Sequence, residues 1–244
     1  MQSYHPRTRL FVDVPLLKVG EPVALPAGSA HYLRAVLRAN AGDIVELFNG
    51  RSGAFAAEIT ALGKSGAQAS IKAKTAEQET LPKLALAFAP LKKERTQFVT
   101  EKATELGAAR IIPMLTARTQ GQAAKQLKME KLRAYAIEAC EQCGRTGVPE
   151  ICQPLRFVDV FKCEGVLVYA DEIRAGEALS WPQPKGWTTL LIGPEGGWSP
   201  EERAALQAHP NAYAVSLGPR ILRAETAAMA MLTLWQTQFG DICA

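Results

Sequence analysis

Residues 190–198 read LLIGPEGGW and residues 217–226 read LGPRILRAET, and the pairing of these two stretches decides the fold. Each opens on the apolar end of a buried strand, breaks into a loop rich in Gly and Pro, and runs into a helical pattern. In open α/β sheets, small ligands bind where such loops leave the carboxyl ends of strands. Gly193, Gly196, Gly197 and Gly218 carry no Cβ, which allows positive φ and close approach of backbone to ligand. Pro194 and Pro219 limit the freedom of the loops. Two ordinary strand-to-helix turns are the bland alternative, and the composition and doubled placement argue against it.

The pattern extends outward from these loops. Ser199-Pro200-Glu201-Glu202 fits a helix start, with Ser as N-cap, Pro at the first helical position and Glu closing a capping box, so neither Glu needs a catalytic role. AYAVSLG reads as the last strand. Ala224 to Phe239 reads as the last helix, and its middle, AAMAMLTLW, is apolar on nearly every face. Upstream, LALAFAPL is a buried strand, and KERTQFVTEKATELG is a helix with Phe98, Val99, Lys102, Ala103 and Leu106 inward and Gly107 just past its end. RIIPML, GVLVYADE and WTTLLIG are further strands. Lys125 to Cys143 reads as one longer helix ended by Gly144. Strands alternating with helices predict a parallel sheet.

The N-terminal third reads differently. Short strand-like runs between turn signals predict a small β-barrel. RTRLFVDV is its first strand, and Ser29 is the expected N-cap of a helix over residues 30–38, with Leu33, Val36 and Leu37 on one face and Arg34 and Arg38 on another. Asn49-Gly50 between two strand-like runs predicts a hairpin with a type I′ turn. The polar stretch TAEQETL before Pro82 reads as a linker. We expect a domain over residues 1–75 and a second over 76–244. Residues 1–75 hold 9 Lys and Arg against 5 Asp and Glu, whereas residues 76–244 hold 19 of each, so the whole excess of +4 lies in the first third. A basic domain beside a neutral one points to an anionic partner, with solvated surface charge as the alternative.

Several chemistries are not expected. GPEGGW lacks the Lys-Ser/Thr of a P-loop, and no GxGxxG follows a strand. Five cysteines form no secreted framework, which reads as a reducing cytoplasm. CEQC, Cys140 to Cys143, falls at a helix end rather than at the start that would activate a thiol. Cys152, Cys163 and Cys243 show no ligand spacing, and His5, His31 and His209 are scattered, so no metal and no histidine-based triad is expected. No apolar run approaches the roughly 18 residues of a membrane helix, and MQSYHPRTRLF has no signal-peptide core.

GPEGG followed by LGPRILRAETA resembles the SPOUT superfamily of RNA methyltransferases, and more narrowly the family that methylates uracil N3 in 16S ribosomal RNA. HYLRAVLRANAGDIVELFNG resembles the PUA-like N-terminal domain of that family. The resemblance implies an α/β, trefoil-knotted SPOUT catalytic domain behind a PUA-like RNA-binding barrel. It implies S-adenosylmethionine as cofactor, wrapped by Ile192, Gly193, Glu195, Gly196, Gly197, Leu217, Gly218, Ile221 and Leu222. It implies 16S ribosomal RNA or the small ribosomal subunit as partner, and a homodimer, for which Met229, Met231, Leu232 and Trp235 on the last helix are the candidate contacts. An RNA-binding protein without transferase activity and a SPOUT enzyme acting at another RNA position are the rival readings.

Candidate roles follow from side-chain chemistry. Arg220 and Arg223 offer forked donors to an anion forming on the base. Glu195 and Glu225 are the acids nearest the loops and either is a candidate base, with water as a further acceptor and helix capping as the other role of Glu225. Arg7, Arg9, Arg34, Arg38, Arg51, Lys92, Lys93, Arg95 and Arg145 are the candidate RNA-binding cations. Arg145 follows Glu141 and Gln142 in EACEQCGR, a segment that resembles the family's, and stabilising the helix C-terminus is its structural alternative.

Overall fold

The computed structural model describes residues 4–64, 66–119, 121–174 and 180–242, and Cys243 lies outside them. The chain divides into two compact units, Met1–Thr80 with Cys140–Val148, and Leu81–Ala139 with Pro149–Ala244.

The first unit contains β1 (Arg9–Phe11), β2 (Pro22–Leu25), α1 (Ala27–His31), β3 (Ile44–Phe48), β4 (Ala54–Leu62) and β5 (Ala67–Ala76). The strand order is β1-β3-β4-β5-β2, with β1 parallel to β3 and the other pairs antiparallel. Among the described residues β1 and β2 do not pair, so the sheet is open rather than the closed barrel expected; these edge strands have only three and four residues. Three register shifts along β4 and β5 sharpen its twist. Val45, Leu47, Phe55, Ala57, Ile59, Ala69 and Ile71 pack with Leu10, Val12 and Leu33 in one core.

Two local expectations here are corrected. The helix begins at Ala27 behind Pro26, not behind Ser29, and continues as a π-turn over Tyr32–Val36. The wider turn buries Leu33 but leaves Val36 63% exposed, so these two do not share an inner face. Arg38 stands past the turn with φ 50°. The hairpin is not a two-residue type I′ turn: Phe48 pairs with Ala54, and Asn49 Oδ1 accepts from the N–H groups of Arg51 (3.0 Å) and Ser52 (2.8 Å). A side chain that mimics a backbone turn lets a longer loop close.

Residues 140–148 are held by specific bonds. Phe11 N–H donates to Glu141 Oε1 at 2.8 Å, and Arg9 Nη2 donates to the Arg145 carbonyl at 2.8 Å. Arg145 Nε meets Glu79 Oε1 at 3.0 Å, and Gly147 N–H donates to the same oxygen at 2.9 Å.

The second unit runs β6 (Leu84–Phe88), α2 (Lys93–Glu105), β7 (Arg110–Leu115), α3 (Gly121–Gln126), α4 (Met129–Cys143, whose last residues belong to the first unit), β8 (Glu150–Ile151), β9 (Leu155–Arg156), α5 (Phe157–Val160), β10 (Val166–Ala170), β11 (Thr188–Ile192), α6 (Pro200–Ala208), β12 (Ala212–Val215) and α7 (Ala224–Phe239). The strand order is β12-β10-β11-β6-β7-β8, with β9 also on β7. Every ladder is parallel. Alternate residues feed two cores. Leu84, Leu86, Phe88, Val168, Leu190 and Ile192 pack with residues of α2 and α7, while Ala85, Ala87, Ile112, Leu167, Tyr169 and Leu191 pack with residues of α5 and α6. Burial on both faces is why these strands read as continuous apolar runs.

Three helices depart from expectation. The single helix over residues 125–143 is two, because Leu127 N–H reaches back only to Ala124 (3.3 Å) and Lys131 N–H to Lys128 (3.0 Å); the tightening breaks the α-helical ladder. On α2, Phe98 is exposed at 43%. The inner face is instead Thr96, Val99, Thr100, Ala103 and Thr104, with the Thr100 and Thr104 hydroxyls donating to carbonyls one turn back at 2.8 and 2.9 Å. A threonine that bonds its own helix can be buried without an orphaned hydroxyl. On α7, Met231, Leu232 and Trp235 lie in this unit's own core, so they are not free for a subunit contact; Met229 is half-buried.

Gly107 has φ +84°, and a Cβ there would overlap the Gln236 amide, which donates to the Leu106 carbonyl at 2.9 Å. Gly107→Ala should therefore cost about 2 kcal/mol and lower Tm by roughly 4–8 °C. Gly28→Ala, in helix with nothing within 4 Å of its Cβ, should leave thermal unfolding by circular dichroism nearly unchanged.

Candidate functional site

In a parallel sheet every strand ends on the same edge, so the loops after β10, β11 and β12 start side by side. They enclose a cavity of about 390 Å³, lined by Ala170–Glu172, Ile192–Trp198, Leu217, Gly218, and Arg220–Ala224 with Ala227. All nine residues expected to wrap a cofactor line it: Ile192, Gly193, Glu195, Gly196, Gly197, Leu217, Gly218, Ile221 and Leu222. Gly197 and Gly218 take φ +67° and +93°, conformations strained for any side chain. Open space lies where a Gly218 Cβ would point, whereas a Gly196 Cβ would only touch Arg118 at 3.4 Å. Gly218 is thus the position where the loop needs glycine and leaves room for a ligand.

Arg220, Arg223 and Glu195 line the same cavity. Among the described residues neither arginine meets a carboxylate. Glu225 stands behind the loop in the first turn of α7. Arg95 ion-pairs with Glu195 and lies 3.7 Å from Glu225. Glu225 Oε2 is buried and, among the described residues, has no hydrogen-bond partner.

The sequence reading missed the contribution of β10. Asp171 and Glu172 line the cavity, and Arg203 of α6 holds both, Glu172 at 2.7 Å. The Asp171 side chain is 3% exposed. These partners hold the guanidinium in its charged form, raising its pKa against the opposing effect of burial. Trp198 Nε1 donates to the Ala170 carbonyl at 3.1 Å, tying the β11 loop to the end of β10. The two acids closing GVLVYADE were the available signal; their partner lies 32 and 31 residues away, on a helix of ordinary pattern. The Ser199 capping box forms as expected, with Glu202 as its acid.

The candidate RNA cations separate into two groups. Arg34, Arg38, Arg51, Lys92 and Lys93 are exposed. Arg9 is not a surface cation: its side chain is 11% exposed, its Nε meets Glu46 at 3.0 Å, and its guanidinium lies 4.5 Å from the centre of the Phe48 ring. Arg145 is likewise 10% exposed and held by Glu79. Arg7 donates to the Leu37 carbonyl (3.1 Å) and pairs with Asp43 at 3.2 Å, and Arg95 is engaged by the two acids above. Each has an acid or carbonyl from a distant part of the chain beside it, a proximity invisible in local sequence, although Arg7 is itself exposed. Burial pushes the thiols of Cys140 and Cys152 up to about 12 and 11, which makes them poor nucleophiles.

The RNA methyltransferase domain model matches residues 77–236, and the RNA methyltransferase PUA domain model matches residues 25–72. Ribosomal RNA small subunit methyltransferase E of Rickettsia conorii is 33% identical over 207 residues, covering 83% of this chain and 84% of that protein. The crystal structure of ribosomal RNA small subunit methyltransferase E from Neisseria gonorrhoeae bound to S-adenosyl methionine has a TM-score of 0.84 at 32% identity, covering 98% of this chain and 100% of that one. A Legionella pneumophila protein solved with bound S-adenosylmethionine has a TM-score of 0.82 at 30% identity, over 95% and 97% of the two chains.

Removing Arg203 would leave the buried Asp171 charge without its partner. Arg203→Met should cost about 3–5 kcal/mol in urea unfolding. Adding Asp171→Asn should return most of that loss, and a double variant no more stable than the single one would show that Asp171 is not the charge being held.

Proposed function

The chain belongs to the ribosomal RNA small subunit methyltransferase E family, and we propose that it transfers a methyl group from S-adenosylmethionine to N3 of a uridine in 16S ribosomal RNA. The observation that carries this reading is one cavity enclosed by three strand-end loops, with both glycine loops in its wall and Arg220 and Arg223 at its edge without acid partners. Apolar Ile192, Leu217 and Leu222 suit an adenine ring, and glycine backbone suits hydrogen bonds to its edge. The open space at Gly218 fits a ligand lying against the loop.

The cofactor supplies a methyl carbon made electrophilic by its sulfonium. The residues must do the rest. Uracil N3 lies on the Watson–Crick edge, so the base must be unpaired or flipped out. N3 carries a proton and becomes an effective nucleophile only as that proton leaves. Negative charge then spreads to the neighbouring carbonyl oxygens, where the Arg220 and Arg223 guanidiniums donate. Arg95 is paired closely with Glu195 and only at 3.7 Å with Glu225 Oε1, so we assign the proton to Glu225 Oε2, the oxygen left without a partner among the described residues, reached through water from behind the cavity wall. Alignment of the reacting atoms by the loops accounts for roughly 7–11 kcal/mol in well-oriented systems.

We take residues 1–75 as the body of the PUA-like RNA-binding domain, with residues 76–80 and 140–148 joined to it and with Arg34, Arg38 and Arg51 as its phosphate-binding cations, and the rest of 76–244 as the catalytic domain. We further propose the trefoil-knotted SPOUT topology for the latter. It is supported by β11 entering between β6 and β10, both earlier in the chain. A homodimer is supported by Ile221, 85% exposed beside the cavity, which a second copy would cover. We place the enzyme in the cytoplasm because its relatives are bacterial proteins named for ribosomal RNA of the small subunit.

Gly218→Val should weaken S-adenosylmethionine binding by calorimetry at least tenfold, about 1.4 kcal/mol; parental affinity would mean the cofactor lies elsewhere. Arg220→Ala and Arg223→Ala should each lower kcat roughly 10²-fold while leaving cofactor affinity nearly intact. Mass mapping of 16S ribosomal RNA from a strain lacking the protein should show one uridine without its N3 methyl group. A complete set of methylated uridines would remove the assignment.

A further inference from the structure

A second cavity in the same unit, about 350 Å³, lies where α2, α3 and α4 meet. Lys93, Lys125, Lys128 and Lys131 line it, with Leu132 and Tyr135. All four lysines are exposed, while Leu132 is buried and Tyr135 half-buried. Among the described residues none of the four has a carboxylate within ion-pair distance, although ion pairs are frequent elsewhere in the chain. The unpaired charge is local, because residues 76–244 as a whole are neutral.

Four like charges line one concave wall, and like charges repel where they come within a Debye length, about 8–10 Å at ordinary ionic strength. A concave, low-dielectric wall of one sign focuses the field and concentrates counter-ions. A polyanion with regularly spaced charges relieves that repulsion better than single small ions do. The helix break at residues 127–128 gathers the lysines, since it ends α3 just after Lys125 and sets Lys128 just before α4. The cavity is also close to the candidate active site. Thr96 lines the lysine groove, and the preceding residue, Arg95, pairs with Glu195 in the wall of the glycine-loop cavity.

We propose that this groove is a second RNA-binding site, on the catalytic unit itself, and that it holds backbone phosphates of the strand whose base is methylated. The lysines neutralise successive phosphates, and Tyr135 supplies an aromatic surface of the kind on which an unpaired base stacks. The site is distinct from the arginines of the first unit. It fixes the strand beside the reacting cavity rather than recognising a remote part of the RNA. The proposal rests on the reading of this chain as a ribosomal RNA methyltransferase.

The test is the salt dependence of binding by the full-length chain to a 16S ribosomal RNA transcript, followed by fluorescence anisotropy. Lys128→Gln with Lys131→Gln should weaken binding at least tenfold at low salt. It should also flatten the log Kd against log salt slope by about 1.4, at roughly 0.7 per phosphate on a single strand. Lys128→Arg with Lys131→Arg should restore the parental slope, and S-adenosylmethionine affinity should be the same in all three proteins. Parental slope and affinity in the glutamine variant would overturn the proposal. So would a loss seen only with assembled small subunits and not with the transcript, because the groove would then meet a ribosomal protein. Methyl transfer by the parent protein is measured alongside. If the parent transfers none but the glutamine variant still shows the flattened slope, the enzymatic reading falls while the groove stands as an RNA site.

Discussion

The catalytic unit depends on one constraint, the complete enclosure of β11. It is hydrogen-bonded to β10 on one side and β6 on the other, and all five of its residues are buried. A strand with both edges paired and both faces covered can meet solvent only at its ends. Its carboxyl end opens into the cavity lined by the glycine loops. The glycines after Ile192 let the backbone turn there without side chains filling the cavity. Because the neighbouring ladders are all parallel, the loops after β10 and β12 open on the same edge and close around the same space.

Some charges are paired within the fold and others are left without an acid. Asp171 and Glu172 are held by Arg203, Glu195 by Arg95, and Glu79 by Arg145. Each of these pairs fixes a loop or a chain segment at a stated position. Where the pair is buried, as at Asp171 and Arg203, breaking it leaves an uncompensated charge in a low-dielectric surrounding, so that pair specifies geometry more than it adds stability. Arg220, Arg223 and the groove lysines are the contrasting case. They have no acid partner among the described residues, and positive charge left unspent by the fold is what an RNA substrate can use.

The family relationship and the cavity support one another. The domain model spans both glycine loops, and the Neisseria gonorrhoeae relative, solved with S-adenosyl methionine, shares the fold along nearly the whole chain.

The sequence by itself determined the periodic and local features. Continuous apolar runs marked β6, β10 and β11, since strands covered on both faces have no polar side to show. Ser199-Pro200-Glu201-Glu202 marked the start of α6, because a capping box is complete within four residues. The glycine loops, the last helix and the basic first third were legible for the same reason. The tertiary structure alone decided what depends on distant partners. It took Arg9 and Arg145 from the candidate RNA surface and placed them beside Glu46 and Glu79. It turned Met231, Leu232 and Trp235 into this unit's own core, broke residues 125–143 into two helices, and opened the expected barrel. It brought Asp171 and Glu172 to the cavity with Arg203, and gathered the lysines around the groove. Local sequence carries hydrogen bonds and periodicities a few residues long, whereas the cost of burying a charge is settled by whichever partner the fold brings within about 3 Å, however far away in the chain.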